Sequence, residues 1–222
     1  PVTQSECTDG NWNQGFGDCF VCNSEIACDC NPNTPTFKKW RLWIVGMTGE
    51  SGNLQLLPPI DTDFVSGPTG CDRKSDGYHN TYFERYDDQG IIYDEDLQAM
   101  PWAKSLNVGG EGAENYKYVP SISEMAYLVA LNYQYDGLLL GDPLATESFW
   151  TSTRKEGNRF FTITKSGWSL SPSLDDNSQS RRSIAVYREL LEDDAESNNY
   201  VIGQEVNEAV YAGVFSTNCS IN

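Results

Sequence analysis

The residue type best suited to chemistry in this sequence is cysteine, which occurs seven times in 222 residues. Five of the cysteines lie within the first 36 residues, among glycine, asparagine, aspartate and proline, a composition typical of turns. A segment with so little apolar material is expected to need disulfides or a bound metal for stability. The cysteines are Cys7, Cys19, Cys22, Cys28, Cys30, Cys71 and Cys219.

Three interpretations of these cysteines are open, in the order disulfides, zinc and unpaired thiols. In the first, Cys71 or Cys219 pairs with the N-terminal cysteine that is left over, and the odd total leaves at least one thiol reduced or bonded to another chain. In the second, a C-x2-C pair and a C-x-C pair supply four thiolates, although the pairs are closer together than in common zinc modules. The zinc set is Cys19, Cys22, Cys28 and Cys30.

Other residues give little indication of catalysis. His79 is the only histidine, and a lone histidine is more often structural than a catalytic base. The sequence has neither a G-x-S-x-G nucleophile motif nor a phosphate-binding glycine loop. With 32 acidic residues, neighbouring carboxylates arise by chance and do not indicate glycosidase chemistry. We therefore expect a protein that is not an enzyme and has no cofactor. If a metal is bound, zinc is the first candidate and calcium the second.

The composition limits the classes of partner. A net charge of −17 repels nucleic-acid phosphates and anionic membranes, so neither is expected as a partner. The sequence has no window of about 18 uninterrupted apolar residues, so no membrane insertion is expected. Hydrophobic residues make up 39% of the chain, which is enough for a folded core.

The clearest signals for regular structure lie between residues 118 and 190. Pro120 cannot continue a strand, and Ser121 followed by Glu124 is a capping box that predicts the start of a helix. Apolar residues then recur at helical spacing and predict one buried stripe. The stripe consists of Ile122, Met125, Leu128 and Val129.

Strand signals follow that helix. Residues 149–153 and 159–165 alternate bulky and polar side chains, and the link at 156–158 predicts a hairpin between them. Residues 182–189 alternate again and predict a closing strand. One face of the closing strand carries Ile184, Val186 and Arg188.

The order of these signals resembles the C-type-lectin-like modules of bacterial surface proteins and phage tail fibres, including variable proteins diversified by retroelements. Upstream, residues 100–110 are similar to the first helix of that family and to the Gly-Gly pair that ends it. The motifs that carry the resemblance are Tyr118-Val119-Pro120-Ser121-Ile122-Ser123-Glu124-Met125, Phe149-Trp150-Thr151-Ser152-Thr153, and the strand from Arg182 to Arg188.

The resemblance implies the fold class α+β. It predicts a C-type-lectin-like core of two short helices, antiparallel strands and long loops, with a cysteine-rich, irregular N-terminal annex. The corresponding domains are the annex at 1–36, the lectin-like domain at 37–190 with its best match at 90–190, and a C-terminal extension at 191–222 that forms a docked hairpin.

The remaining segments predict shorter elements. An apolar run predicts a buried strand at 40–45, and an edge strand is expected from Leu54 to the prolines at 58–59. Three leucines at 138–140 are expected to form a short buried piece. Loops are predicted at 61–80, 132–148 and 166–180, and hairpins at 82–93 and 201–215.

The resemblance also implies where a partner binds, because the family presents its late strands and their loops to partners. In this sequence that stretch is 151–176. Large aromatics and arginines anchor interfaces, while serine and asparagine adapt to the partner. Trp168 has an equally good alternative role as a plug for the core. The candidate binding residues are Arg154, Asn158, Arg159, Trp168, Ser169 and Ser171.

These features lead to an expected function. The resemblance implies a non-enzymatic protein on a virion surface that binds a host surface receptor, and homo-oligomerisation stays open. The first alternative is a capsid or tail decoration protein that binds other virion proteins. The second is a secreted or cell-surface bacterial adhesin, or an enzyme of the formylglycine-generating type. That enzyme needs late cysteines, and none lies between Asp72 and Asn218.

Overall fold

The computed structural model describes residues 37–49, 52–58, 71, 73–82, 93–107, 116–166, 169–176, 178–191 and 200–218. The expectations for the annex at 1–36, for Trp168 and for Cys219 lie outside these residues. The described part contains the helices α1 (Gly77–Tyr82), α2 (Ala99–Ser105) and α3 (Ile122–Gln134). Its strands are β1 (Phe37–Met47), β2 (Glu147–Glu156), β3 (Arg159–Ser166), β4 (Ser169–Asp176), β5 (Ile184–Leu190), β6 (Glu205–Val206) and β7 (Ala209–Asn218).

The larger sheet joins the beginning and the end of the described chain. Its strand order is β5-β1-β7-β6, and every neighbouring pair is antiparallel. The turn between β6 and β7 consists of Asn207 and Glu208, whose φ values are 50° and 64°. Two positive φ values in a two-residue turn match the twist of a hairpin. The hairpin predicted at 201–215 is therefore confirmed, and its long strand lies beside β1 in the sheet.

The smaller sheet is an antiparallel meander in the order β2-β3-β4. The turn between β2 and β3 contains Gly157 with a φ of +50°, a conformation that glycine adopts without strain. The hairpin predicted from residues 149–165 is confirmed.

Helix α3 begins where the capping box predicted. The Ser121 side chain accepts a hydrogen bond from the Glu124 amide, and the Glu124 side chain accepts one from the Ser121 amide. Met125, Leu128 and Val129 are fully buried in the main core, and Ile122 packs against it. The same core contains Leu42 and Ile44 of β1, Phe149 of β2, Ile163 of β3, Val186 of β5 and Ala212 of β7. Helix α3 thus holds the two sheets together.

A second core lies around α2. Met100 of this helix packs with Leu56, Val119, Trp150 and Phe160, and all five are fully buried. Strand β5 separates the two cores, because Ile184 and Val186 face the main core and Ala185 faces the second. The alternation predicted for this strand is confirmed.

Five local expectations were wrong. The loop predicted at 61–80 contains the start of α1, a six-residue helix too short for a periodic signal. The loop predicted at 166–180 contains β4, whose serines and proline have low strand propensity. Tyr82 lies in α1 rather than in a hairpin strand. Leu54 and Gln55 form isolated bridges rather than an edge strand. Of the three leucines expected to be buried at 138–140, Leu138 is 56% exposed.

The described residues form a sheet-rich α+β structure with few helices and mostly antiparallel pairing. The expected α+β class is confirmed at this level. None of the described helices is both long and apolar enough to span a membrane.

Candidate functional site

The β2-β3-β4 sheet has two different sides. Phe149 and Ile163 lie opposite each other on β2 and β3, and both are buried in the main core. Because successive side chains on a strand point to opposite sides, Ser148 and Thr164 lie on the other side. The register places these two residues opposite each other, with their hydroxyl oxygens 2.7 Å apart. Thr164 in turn lies opposite Ser171 of β4, which is exposed.

Two further rows of hydroxyls flank this central row. On one side, the hydroxyl oxygens of Thr146 and Ser166 are 2.9 Å apart, and Ser166 lies opposite Ser169. On the other side, the hydroxyl oxygens of Thr162 and Ser173 are 2.6 Å apart, but Thr162 is fully buried, so this row reaches solvent only at Ser173. We call the residues of the three rows the hydroxyl face: Thr146, Ser148, Thr162, Thr164, Ser166, Ser169, Ser171 and Ser173.

A buried ion cluster fixes the strands under one end of the hydroxyl face. The Lys165 side chain is fully buried, and its Nζ lies 2.5 Å from Glu147 Oε2 and donates to the Asp142 carbonyl oxygen at 2.7 Å. The other oxygen of Glu147 accepts a hydrogen bond from Arg182. Arg182 also donates to the Thr48 carbonyl oxygen at 3.2 Å. The cluster therefore links β2, β3 and the segments on either side, and holds the face rigid.

An ion pair borders the other end of the face. Arg181 Nε donates to Asp175 Oδ2 at 3.0 Å, and the same oxygen accepts a hydrogen bond from Thr162 at 3.1 Å. The Arg181 and Asp175 side chains are 29% and 23% exposed, so a bound partner could reach both. The site thus combines neutral hydroxyls with one reachable cation and one reachable anion.

The open edge of this sheet discourages strand addition. Among the described strands, β4 pairs only with β3. Pro172 lacks a backbone N–H, and the strand ends with the charged pair Asp175 and Asp176. Proline and charge on an edge strand are the usual protection against pairing with another chain. Recognition at this sheet is therefore expected to use the side chains of the hydroxyl face.

The predicted binding residues fall into two groups. Ser169 and Ser171 are exposed on the hydroxyl face. Arg154, Asn158 and Arg159 lie at the β2–β3 turn, and Arg159 is opposite Asp176 at the far end of β4. Seven residues of extended strand separate the two ends of β4, about 23 Å. The structure therefore does not bring the five described candidates into one cluster.

The turn group is less accessible than expected. Arg154 is half-buried, and its Nε is buried with no hydrogen-bond partner in the described part of the chain. The same holds for Asn158 Oδ1. Arg159 is exposed and forms an ion pair with Glu156 at 3.7 Å. The turn carries positive charge beside the hydroxyl face rather than within it.

Below the larger sheet lies a buried ionic network that is structural. Arg188 donates from Nη2 to Asp76 Oδ1 at 3.0 Å, and its Nη1 lies 3.8 Å from Glu124 Oε1. The guanidinium lies 4.4 Å from the centroid of the Trp40 ring. Tyr118 donates to Glu124 Oε1 at 2.9 Å. All of these side chains are buried, so they position β5 and α3 and do not face a ligand.

This burial shifts the pKa values of the two carboxyls in opposite directions. Burial alone would raise the pKa of Asp76, but the Arg188 charge, with help from His79 and Arg73, holds it below its ordinary value of 3.8. Burial raises the pKa of Glu124 above its ordinary value of 4.5, although Arg188 and Ser121 act in the other direction.

The remaining candidates for chemistry are also buried. His79 lies in α1, and its amide donates to Asp76 Oδ1 at 2.9 Å, which caps the helix. Cys71 is buried in the second core, with its Sγ 3.5 Å from the Asn80 carbonyl oxygen. The described residues contain no group of three or more His, Cys, Asp or Glu that could hold a metal ion. The zinc candidates Cys19, Cys22, Cys28 and Cys30 lie outside them.

No protein-family model, no curated protein and no solved structure matches the chain. Its function must therefore be inferred from the geometry of its own residues.

Sequence reasoning missed most of the hydroxyl face. Residues 166–180 were predicted to be a loop, so the strand that carries Ser171 and Ser173, and with it the cross-strand rows, was not predicted. A signal was nevertheless present, because Thr162 and Thr164 alternate with apolar residues, as do the serines from Ser169 onward. Hydroxyl residues at every second position indicate a strand, just as apolar residues at every second position do.

Proposed function

We propose that this chain is a non-enzymatic binding protein with a C-type-lectin-like core, and that it works on the surface of a virion. The family that the sequence resembles has two short helices, followed by antiparallel strands that face a partner. Helices α2 and α3 and strands β2 to β4 occupy the corresponding positions in the chain.

The observation that carries the proposal is the hydroxyl face. Four of its residues are exposed: Ser166, Ser169, Ser171 and Ser173. The strands that carry the face are linked by the buried Lys165 cluster. Serine and threonine lose little side-chain entropy on binding, and each hydroxyl can both donate and accept. Such a surface suits recognition of a polar partner, either a protein or a saccharide, at a host receptor.

Electrostatics narrow the class of partner. The chain carries a net charge of −17, which disfavours nucleic acids and anionic membranes. The charges that border the face are paired: Arg181 with Asp175, and Arg159 with Glu156 at the β2–β3 turn. A neutral polar ligand would therefore meet hydroxyls bordered by ion pairs.

A single substitution tests the role of the face. Ser171 lies at the centre of β4 and is exposed, so Ser171→Arg places a long charged side chain over the middle row without touching the core. Labelled protein carrying this change should bind host cells at least about tenfold more weakly, with an unchanged melting temperature. The matched control is Ser105→Arg, at an exposed serine on α2.

The outcomes separate the proposal from its alternative. Equal binding of Ser171→Arg and the wild type to host cells would show that the hydroxyl face is not the site. If the wild type binds purified particles that lack this chain, and does not bind cells, the protein is a decoration protein that contacts other virion subunits.

A further inference from the structure

The loop after α3 holds two leucines out toward solvent. The buried Asn132 side chain fixes this loop, since its Oδ1 accepts hydrogen bonds from the Leu139 and Leu140 amides at 3.1 and 2.7 Å, and its Nδ2 donates to the Gly141 carbonyl oxygen. This arrangement buries Leu139 and Leu140 and leaves Leu138 56% exposed. Further along the same loop, Leu144 is 58% exposed.

A second segment adjoins this loop. A Cβ atom on Gly203 would lie 2.3 Å from Leu138 Cδ2, so Leu138 rests directly on the glycine backbone. Val201 begins the same turn and is 70% exposed. Tyr135 at the end of α3 is 39% exposed. We call Tyr135, Leu138, Leu144 and Val201 the apolar patch.

The patch lies in a strongly acidic part of the chain. No lysine or arginine occurs from residue 118 to 153, and none from 189 to 222. Asp136, Asp142 and Glu205 are exposed on the two segments that carry the patch.

Neighbouring cations do not compensate this charge. Lys165 approaches the Asp142 backbone but is fully buried and paired with Glu147. Arg41 lies over the Tyr200 ring and pairs with Glu189 at 3.7 Å. The described surroundings of the patch therefore combine exposed apolar groups with a negative potential.

We propose that the apolar patch docks a protein partner that presents an apolar anchor surrounded by positive charge. Exposed apolar side chains grouped on neighbouring segments mark interaction sites, and the acidic rim selects a basic partner. A second copy of this chain would bring two negative surfaces together, so self-association is disfavoured. Leu144 is two residues from Thr146, so the patch adjoins one end of the hydroxyl face, but the proposed partner does not depend on the role of that face.

A synthetic peptide tests this proposal. The probe is an amphipathic lysine–leucine peptide, compared with glutamine–leucine and glutamate–leucine peptides of the same pattern. We expect the lysine–leucine peptide to bind the full chain, and the binding to weaken severalfold when salt is raised from about 0.05 to 0.5 M. The double change Leu138→Ser, Val201→Ser should weaken it at least about tenfold. The matched control is Leu97→Ser, since Leu97 is 58% exposed elsewhere on the surface.

A second variant keeps the apolar contact of Leu138 with Gly203 and changes only the charge. Asp136→Asn with Glu205→Lys shifts the local charge by three units, and asparagine tolerates the φ of 53° at position 136. This variant should bind the lysine–leucine peptide more weakly and the glutamate–leucine peptide more tightly than the wild type. Such a reversal cannot result from misfolding.

Four results would overturn the proposal. The first is no binding of the lysine–leucine peptide, and the second is equal binding of the glutamine–leucine peptide. The third is equal binding by the Leu138→Ser, Val201→Ser protein. The fourth is dimerisation of the chain in sedimentation that this double variant abolishes, which would make a second copy the occupant.

Discussion

Arg188 is the residue on which the interior of this protein depends most. Its guanidinium contacts Asp76, Glu124 and the Trp40 ring, which belong to three separate parts of the chain. A buried charge of this kind is stable only when its partners remain, because water cannot replace them. The sequence indicated that Arg188 would lie on the Ile184–Val186 face. Its partner Asp76 could not be predicted, since 112 residues separate them and no local pattern links them.

Asp76→Asn measures the strength of this pairing. Asparagine is a good helix cap, so the hydrogen bond from the His79 amide is kept and the carboxylate charge is the main loss. We expect the free energy of unfolding to fall by about 3–5 kcal/mol, as for other buried pairs that lose one partner. Urea denaturation provides the measurement. The control, Asp96→Asn at an exposed aspartate, should change it by less than about 0.5 kcal/mol.

The pH dependence of this difference has a definite sign. The pKa of Asp76 is lower in the folded chain than its ordinary value of 3.8, so the unfolded chain binds the proton first as pH falls. The stabilisation by Asp76 is present above pH 3.8 and is lost as pH falls through the folded value. Glu124 acts in the opposite direction, and because the Asp76 charge helps to raise the Glu124 pKa, the substitution lowers it. The difference between wild type and Asp76→Asn should be large at neutral pH and shrink below pH 3.8. A difference that persists undiminished in strong acid would contradict the ion pair.

The elements of the fold differ in how far local sequence determines them. Helix α3 was predictable because its cap and its apolar stripe are both encoded within a few residues. Strand β4 was missed because serine and proline have low strand propensity, and the alternation of its serines was the one local signal; the segment is held as a strand by pairing with β3. Helix α1 was missed for a similar reason, since its six residues are fixed by Asp76 and by contact with α3. Tertiary contacts stabilise these two elements, so residue propensity alone does not predict them.

Gly77→Ala tests the contact between α1 and α3. A Cβ atom at Gly77 would lie 2.5 Å from the Val119 carbonyl oxygen and 2.6 Å from the Ser121 amide nitrogen, and both are backbone atoms. Alanine normally stabilises a helix relative to glycine by about 1 kcal/mol, so a contact-free site would gain stability. We expect a loss of about 1–3 kcal/mol in urea unfolding instead. The control is Gly49→Ala, where a Cβ atom would meet nothing within 4 Å. Stabilisation by Gly77→Ala would show that the two helices are further apart than described.

At the scale of the whole molecule, the described structure has two surfaces of different chemistry. The hydroxyl face lies on the smaller sheet and is neutral apart from its borders, and the apolar patch lies at the end of α3 in an acidic region. Only two residues of the hydroxyl face were predicted, because β4 was not recognised as a strand, and the apolar patch was not evident because it is made by segments far apart in the chain. Leu138 and Gly203 are 65 positions apart in the sequence. The sequence did establish the α+β class and the central helix, which together support both surfaces.

The C-terminal hairpin is the part of the molecule whose role sequence reasoning left least defined. Strand β7 lies between β1 and β6, pairs with β1 from Phe37 to Ile44, and contributes Ala212 to the main core. Tyr211 also covers Trp43, with ring centroids 5.3 Å apart. The chain ending at residue 191 would therefore lose a central strand and expose the face of β1.

We expect the chain truncated after residue 191 to show no cooperative thermal transition, because β1 would keep a partner on one side only and the main core would be open. The chain truncated after Cys219 retains all of β7 and the last cysteine, and should melt within about 3 °C of the full-length protein. Circular dichroism of both proteins on heating measures the difference. If the shorter chain also melted cooperatively and near the full-length temperature, the hairpin would be a peripheral extension rather than a strand on which the larger sheet depends.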